Sequence, residues 1–290
     1  MASRNKDLFI GITSWNSELF LGTCLAAIEK TTAHINKDIV VFDNNSTDDS
    51  VQIARDHGAR VIIDKQTQPN ALNILLNESN AQYSLFMHAD TILLSKKWFA
   101  LCSNKIDNHT VLVSPEDIGC GPMTRDFGVG QPESSFLFFD TEAAKQLRQW
   151  RVIKRRFYIP LILKKQLDLY GKHVTHNLSK RLEQANLNWF AMSVLASNLS
   201  KNTLYSPKIR SRIWLDEMGK LEYGLGNFYA IDGEITHYHN WYERLFNIEY
   251  FDSPTTEPNG QGFEYDFIKS YTNRFIKDYE NNNVNLPNVS

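Results

Sequence analysis

The chain has 290 residues, 42% of them hydrophobic, and a formal net charge of −2. That hydrophobic content supplies a core and excludes a disordered chain, and the near-neutral charge excludes a global pull toward nucleic acid. Three widely spaced cysteines (Cys24, Cys102, Cys120) read as reduced thiols of a cytoplasmic protein, and no run of about 18 apolar residues exists to span a membrane.

Taken in order, Leu8–Ile12 is a first short strand ending at Thr13-Ser14-Trp15-Asn16. Leu19, Leu21, Leu25 and Ile28 then recur at near-helical spacing. A second strand, Asp38–Phe42, ends in the cluster Asp43–Ser50, which reads as a turn and a helix cap before Val51–His57. Gly58 stops that helix, and Arg60–Ile63 is a third strand. Asn70–Asn80 reads as a helix, and Tyr83–Met87 is apolar apart from one serine, as suits a strand buried on both faces. Strand and helix alternating in this way predict a parallel sheet with right-handed crossovers. The opening M-A-S-R-N-K-D carries no signal-peptide pattern, and the tail Asn281–Ser290 reads as frayed.

Three successive strands therefore end in polar clusters: Thr13–Asn16, Asp43–Ser46 and His88-Ala89-Asp90. Parallel strands put all three on one edge of the sheet, where open α/β proteins collect their ligands. An acid for ribose or base, small polar groups for tight turns and a ligand for a divalent cation are what a nucleotide diphosphate requires. Each cluster alone is also an ordinary Asx-rich turn, and their coincidence favours a site.

Further on, Val111–Ser114 and Phe136–Phe139 read as strands around a glycine-bearing loop, Gly119 to Gly130, that suits either an acceptor pocket or a plain connection. Arg148–Lys165 gathers basic residues around Trp150, Phe157 and Tyr158. It reads as an amphipathic helix interrupted at Pro160 or as a surface for peripheral contact with the inner face of an anionic membrane. In Gly233–His239 a short alternating strand puts His237 and His239 on one side, either as metal ligands or as histidines packed among aromatics.

The first ninety-odd positions resemble the family 2 glycosyltransferases. I-T-S-W-N stands where that family opens with a strand and P-T-Y-N, V-V-F-D-N-N-S-T-D (Val40 to Asp48) matches V-V-D-N-x-S-T-D, and His88-Ala89-Asp90 occupies the place of D-x-D. The resemblance implies a GT-A (Rossmann-like) α/β fold, a mostly parallel sheet flanked by helices with a helical C-terminal extension. The glycosyltransferase domain would cover 1–240, with a nucleotide-sugar half over about 1–95 and an acceptor half over about 96–240. The extension, with its frayed tail, would follow over 241–290. It further implies that Thr13, Trp15 and Asp43, with Asn45 of the same cluster and Asn73 of the donor-side helix, hold the nucleotide. Asp90 and His88 would bind Mn²⁺ or Mg²⁺, and a late histidine, His239 or His237, would complete the site. The partners implied are a nucleotide-diphosphate sugar donor and a glycan or lipid-linked glycan acceptor.

The departures are specific. His88 replaces the first acid of D-x-D, and imidazole is a softer ligand than carboxylate. The donor-side lead becomes Gln68-Pro69-Asn70-Ala71-Leu72-Asn73. Leu178–Ala185 resembles the helix after the family's E-D motif, where an acid serves as general base for an inverting transfer. The matching stretch here, Gly171–His176, has no acid, which leaves His173 or His176, or else Asp126 or Glu133, for that role. A catalytically silent nucleotide-sugar binding protein stands as the alternative. A nucleotidyltransferase would need a Gly-rich basic N-terminal loop that is absent, and a purely structural partner protein leaves the three polar strand ends without a purpose.

Overall fold

The computed structural model describes residues 6–116, 130–147, 175, 178–196, 223, 226–240 and 262–289. Their strands are β1 (Lys6–Ser14), β2 (Lys37–Asp43), β3 (Arg60–Ile63), β4 (Ala81–His88), β5 (Thr91–Leu93), β6 (Thr110–Pro115), β7 (Phe136–Asp140), β8 (Asn188–Ala196), β9 (Gly226–Ile231) and β10 (Glu234–Asn240). Helices α1 (Glu18–Thr32), α2 (Ser50–Asp56), α3 (Gln68–Glu78), α4 (Trp98–Ser103) and α5 (Thr141–Leu147) lie between them. Two more, Leu178–Gln184 and Gly262–Glu280, follow.

All ten strands form one sheet in the order β3-β2-β1-β4-β7-β6-β8-β9-β10-β5. β3, β2, β1 and β4 are parallel, as the alternation of strand and helix requires. Beyond β4 the sheet changes character. β7 runs antiparallel to both β4 and β6, β8 returns parallel to β6, and β9, β10 and β5 continue antiparallel. The parallel expectation thus describes the N-terminal half. The second half includes the hairpin β9–β10, turned at Asp232-Gly233, where both residues take positive φ.

The apolar runs are continuous because both faces of the sheet are covered. Leu8, Ile10 and Ile12 of β1 enter one buried cluster, with Leu85 and Met87 of β4 and Phe136 and Phe138 of β7. The intervening Phe9, Phe86, Leu137 and Phe139 enter the other, against Leu72, Leu75 and Leu76 of α3. Gly11 lets α3 approach: a Cβ there would lie 3.2 Å from that of Leu75 and 3.0 Å from the Phe86 ring.

The helix Gly262–Glu280 belongs to the same core. Phe275 is buried and stacks on Tyr238 at 4.0 Å between ring centroids, and Thr272 is fully buried. The first residues of the tail that follows this helix make contacts with the rest of the fold. Asn285 N donates to Tyr223 Oη at 2.7 Å, Lys30 Nζ donates to Asn282 Oδ1 at 2.6 Å, and Val284 packs against the core. Among the described residues no helix is long and apolar enough to cross a membrane.

Candidate active site

The carboxyl ends of β1, β2 and β4 meet on one edge, with Ser14 opposite Asp43 and Thr13 opposite His88. The loops leaving β1 and β2 lock together. Asn16, in the left-handed region at φ 47°, accepts a hydrogen bond from Thr47 N at 2.7 Å and donates its own N–H to Ser46 Oγ at 2.8 Å. Asp43 is fully buried beneath this junction, accepting from Ser46 N (2.7 Å), Ser46 Oγ (2.6 Å) and Ser14 Oγ (3.3 Å). Asparagine suits these turns because its short polar side chain tolerates positive φ, as it also does at Asn45 (φ 61°).

Above the edge lies a cavity of about 200 Å³ lined by Thr13, Ser14, Trp15, Ser17, Phe42, Asn44, Gln66, Gln68, Ala71, His88, Ala89 and Asp90. Of the residues expected to hold a nucleotide, Thr13 and Trp15 line it. Asp43, Asn45 and Asn73 are not among its lining residues: Asp43 is turned into the loop junction, and Asn73 stands on α3, of which Gln68 and Ala71 line the cavity. Asn44 takes the place facing the cavity, and its Oδ1 accepts from Gln66 N at 2.7 Å, joining the β2 loop to the lead into α3.

Beside the cavity, where His88 and Asp90 line it, three side chains converge. His88, Asp90 and His239 each present a donor atom, all within 4.8 Å of one another. His239 Nε2 is 3.3 Å from Asp90 Oδ1, and His88 Nδ1 is 3.9 Å from the same oxygen. His239 reaches Asp90 across a long stretch of chain because β5, which follows Asp90 directly, pairs with β10. Thr91 stands opposite His239, and Asn240 N donates to Asp90 O at 3.1 Å.

Each imidazole has an outer partner. Gln68 Nε2 lies 2.7 Å from His88 Nε2, and His239 Nδ1 is 3.2 Å from Glu133 Oε1, while Tyr229 Oη donates to Glu133 Oε2 at 2.9 Å. Burial alone would lower the His239 pKa, but Asp90 and Glu133 outweigh it and raise it to about 9. Burial would likewise raise that of Glu133, and His239 with Tyr229 turns the net effect downward.

His237 stands apart from this group. Its ring is sandwiched between Phe136 (4.3 Å) and Tyr229 (4.6 Å), and its Nδ1 is 3.0 Å from Thr236 Oγ1. Burial, and then the charge of His239, hold its pKa well below the usual histidine value. Two histidines at alternate positions of a strand share a face but are separated by about 7 Å of rise, so one meets Asp90 and the other packs between aromatic rings.

Sequence reasoning missed Ser14, Ser17, Phe42, Asn44, Gln66 and Gln68 as lining residues, although all sit in or beside the clusters it identified. The sequence offers Glu133 only as a candidate base, and nothing in its spacing pairs it with His239. His173, His176, Asp126, most of the Gly119–Gly130 loop and the basic stretch 148–165 lie outside the described residues.

A pocket at parallel strand ends, with a His-Asp-His group beside it, lies where open α/β sheets collect their ligands. The sequence pattern of the family Glycosyl transferase family 2 matches residues 9–159, and the chain belongs to that family, with its GT-A fold. Among solved structures it is similar to a mannosyltransferase from Pyrobaculum calidifontis in complex with GDP-Man and Mn²⁺. Identity there is 14%, the TM-score is 0.46, and the match covers 64% of this chain and 54% of that one. It is also similar to glucosyl-3-phosphoglycerate synthase from Mycobacterium tuberculosis in complex with Mn²⁺, UDP and glucosyl-3-phosphoglycerate. Identity is 18%, the TM-score is 0.39, and coverage is 48% of this chain and 58% of that one. The chain thus spans little more than half the length of these solved proteins. Comparison with curated proteins gives no match.

Proposed function

We propose that the chain is a metal-dependent, inverting glycosyltransferase that moves a sugar from a nucleotide-diphosphate donor to a hydroxyl of a glycan or lipid-linked glycan. The observation that carries this reading is the convergence of His88, Asp90 and His239 beside the cavity on the β1–β2–β4 edge. Asp90 Oδ1 is buried, and among the described residues the groups that face it are two imidazoles, at 3.3 and 3.9 Å. A buried carboxylate oxygen met by two imidazole nitrogens fits a cation site. Two nitrogens and one oxygen fit Mn²⁺, and fit Mg²⁺ less well, since Mg²⁺ prefers an all-oxygen shell. When bound, the ion supplies Lewis-acid stabilisation of the departing diphosphate.

The protein's own groups do the rest. Trp15 offers a ring for the base to stack on, and Thr13, Ser14, Ser17 and Asn44 offer hydrogen bonds to base and ribose. Asp43 acts one step back: by gathering Ser14 and Ser46 it fixes the loops that carry Trp15 and Asn44. Glu133 is occupied by His239 and Tyr229, which leaves His173 or His176, with Asp126 as the other candidate, for the proposed general base.

The test is a thermal-shift panel of uridine, guanosine, thymidine and cytidine diphosphates with and without Mn²⁺. A ligand at about 100 times its dissociation constant adds about 2.7 kcal/mol to the folded state. A Mn²⁺-dependent shift with one nucleotide, lost in Asp90→Ala, is expected, followed by hydrolysis or transfer of the matching sugar nucleotide. No shift with any nucleotide would refute the donor site, and binding without turnover would make the chain a silent binder.

A further inference from the structure

Glu133 is a buried carboxylate, 5% exposed, that neither lines the nucleotide cavity nor belongs to the group of three. Burying such a charge costs several kcal/mol unless it is paired, so its position requires an explanation. Its surroundings hold it firmly. Glu133 N donates to Pro115 O at 2.8 Å, Ser114 Oγ donates to its carbonyl at 3.1 Å, and Tyr229 Oη fixes Oε2 at 2.9 Å. The remaining oxygen, Oε1, is 3.2 Å from His239 Nδ1. The opposite nitrogen of that ring, Nε2, faces Asp90.

We infer that Glu133 is the positioning residue of the cation site and supplies the negative charge that His88 removes from it. The inference rests on the cation-site reading above. With His88 neutral, Asp90 is the one carboxylate among the three converging groups. A divalent ion on that set would leave a net positive charge in a buried place. Glu133, one imidazole removed, brings the count to neutral. A carboxylate on the far nitrogen of a ligating histidine also keeps the proton there, which turns the lone pair of Nε2 toward the ion and makes it more basic. The hydroxyl of Tyr229 keeps the carboxylate from swinging away.

The experiment is titration calorimetry of Mn²⁺ into the full chain, with Mn²⁺ electron paramagnetic resonance as a second readout. Glu133→Gln preserves shape and an acceptor oxygen but deletes the charge. It is expected to weaken Mn²⁺ by about 10- to 100-fold, the usual effect of losing an outer-shell partner. The double variant His88→Asp, Glu133→Gln returns a carboxylate to the first shell and is expected to recover most of that affinity, which a merely structural role for Glu133 does not allow. Tyr229→Phe keeps the ring against His237, removes only the hydroxyl, and is expected to weaken binding less, so it serves if the Gln variant does not fold. Wild type that binds Mn²⁺ with unchanged affinity in Glu133→Gln, or in Tyr229→Phe as the fallback, overturns this inference alone. So does a loss that His88→Asp fails to recover in a folded double variant. Wild type that binds no Mn²⁺ overturns the cation site and this inference together.

Discussion

Raising the pH of the metal-free protein removes a proton that the fold has gone to some length to keep. His239 sits between Asp90 Oδ1 (3.3 Å) and Glu133 Oε1 (3.2 Å), and its pKa is raised from 6.5 to about 9. That separation corresponds to about 3 kcal/mol of extra stability for the charged form. Because the folded value is the raised one, this stabilisation is fully present below about pH 6.5 and is lost as pH rises through about 9. In a chelating buffer, thermal denaturation should therefore show Tm falling by roughly 5–10 °C across that window. His239→Gln should flatten the trend. Mn²⁺ needs the same ring neutral, so its apparent affinity should climb about tenfold per pH unit up to about pH 9, with close to one proton released per ion at about pH 7.5. Calorimetry in buffers of different ionisation enthalpy counts that proton. A Tm that falls equally in His239→Gln, together with metal binding that releases no proton, would refute the reasoning.

Three other expectations follow from packing and contact. Trp15→Ala removes the aromatic wall of the cavity and should weaken nucleoside diphosphate binding by about 1–3 kcal/mol, the worth of one stacked base, leaving the fold unchanged by circular dichroism. Gly226→Ala drives a methyl into the ring of Tyr238 from within a hairpin that cannot shift independently. It should cost about 1–3 kcal/mol or more and lower Tm by several degrees; an unchanged Tm would mean the hairpin has slack. Phe275→Ala opens a hole where the C-terminal helix stacks on Tyr238 and should cost about 3–5 kcal/mol in a denaturant titration. A second, separate unfolding transition instead would show that the helix is an appendage.

The boundary between local and tertiary information runs through individual residues. Strands β1 to β4 could be placed from sequence because a sheet covered on both faces needs unbroken apolar runs, and Phe9 and Ile10 or Phe86 and Met87 satisfy opposite cores in turn. The same logic located the polar edge, since parallel strands must deliver Thr13 and His88 side by side. The alternation of Thr236–His239 puts two histidines on one face. Choosing between them took the third dimension. His239 faces Asp90 because β10 pairs with β5 just past the His88–Asp90 turn, while His237, one pleat earlier, is held between Phe136 and Tyr229.

Asp43 marks the opposite outcome: its motif was plain in the sequence, yet its side chain turns into the Ser14–Ser46 junction instead of the cavity. Glu133 had no local signal at all. Its meaning depends on β7 lying against β4 and on Tyr229 arriving from the β9–β10 hairpin, contacts between segments far apart in the chain. Periodicity and turn chemistry are properties of neighbouring residues, and they determined the sheet edge and the kinds of side chain on it. Which carboxylate meets which imidazole is decided by strand pairing and register, and those exist only once the whole sheet has closed.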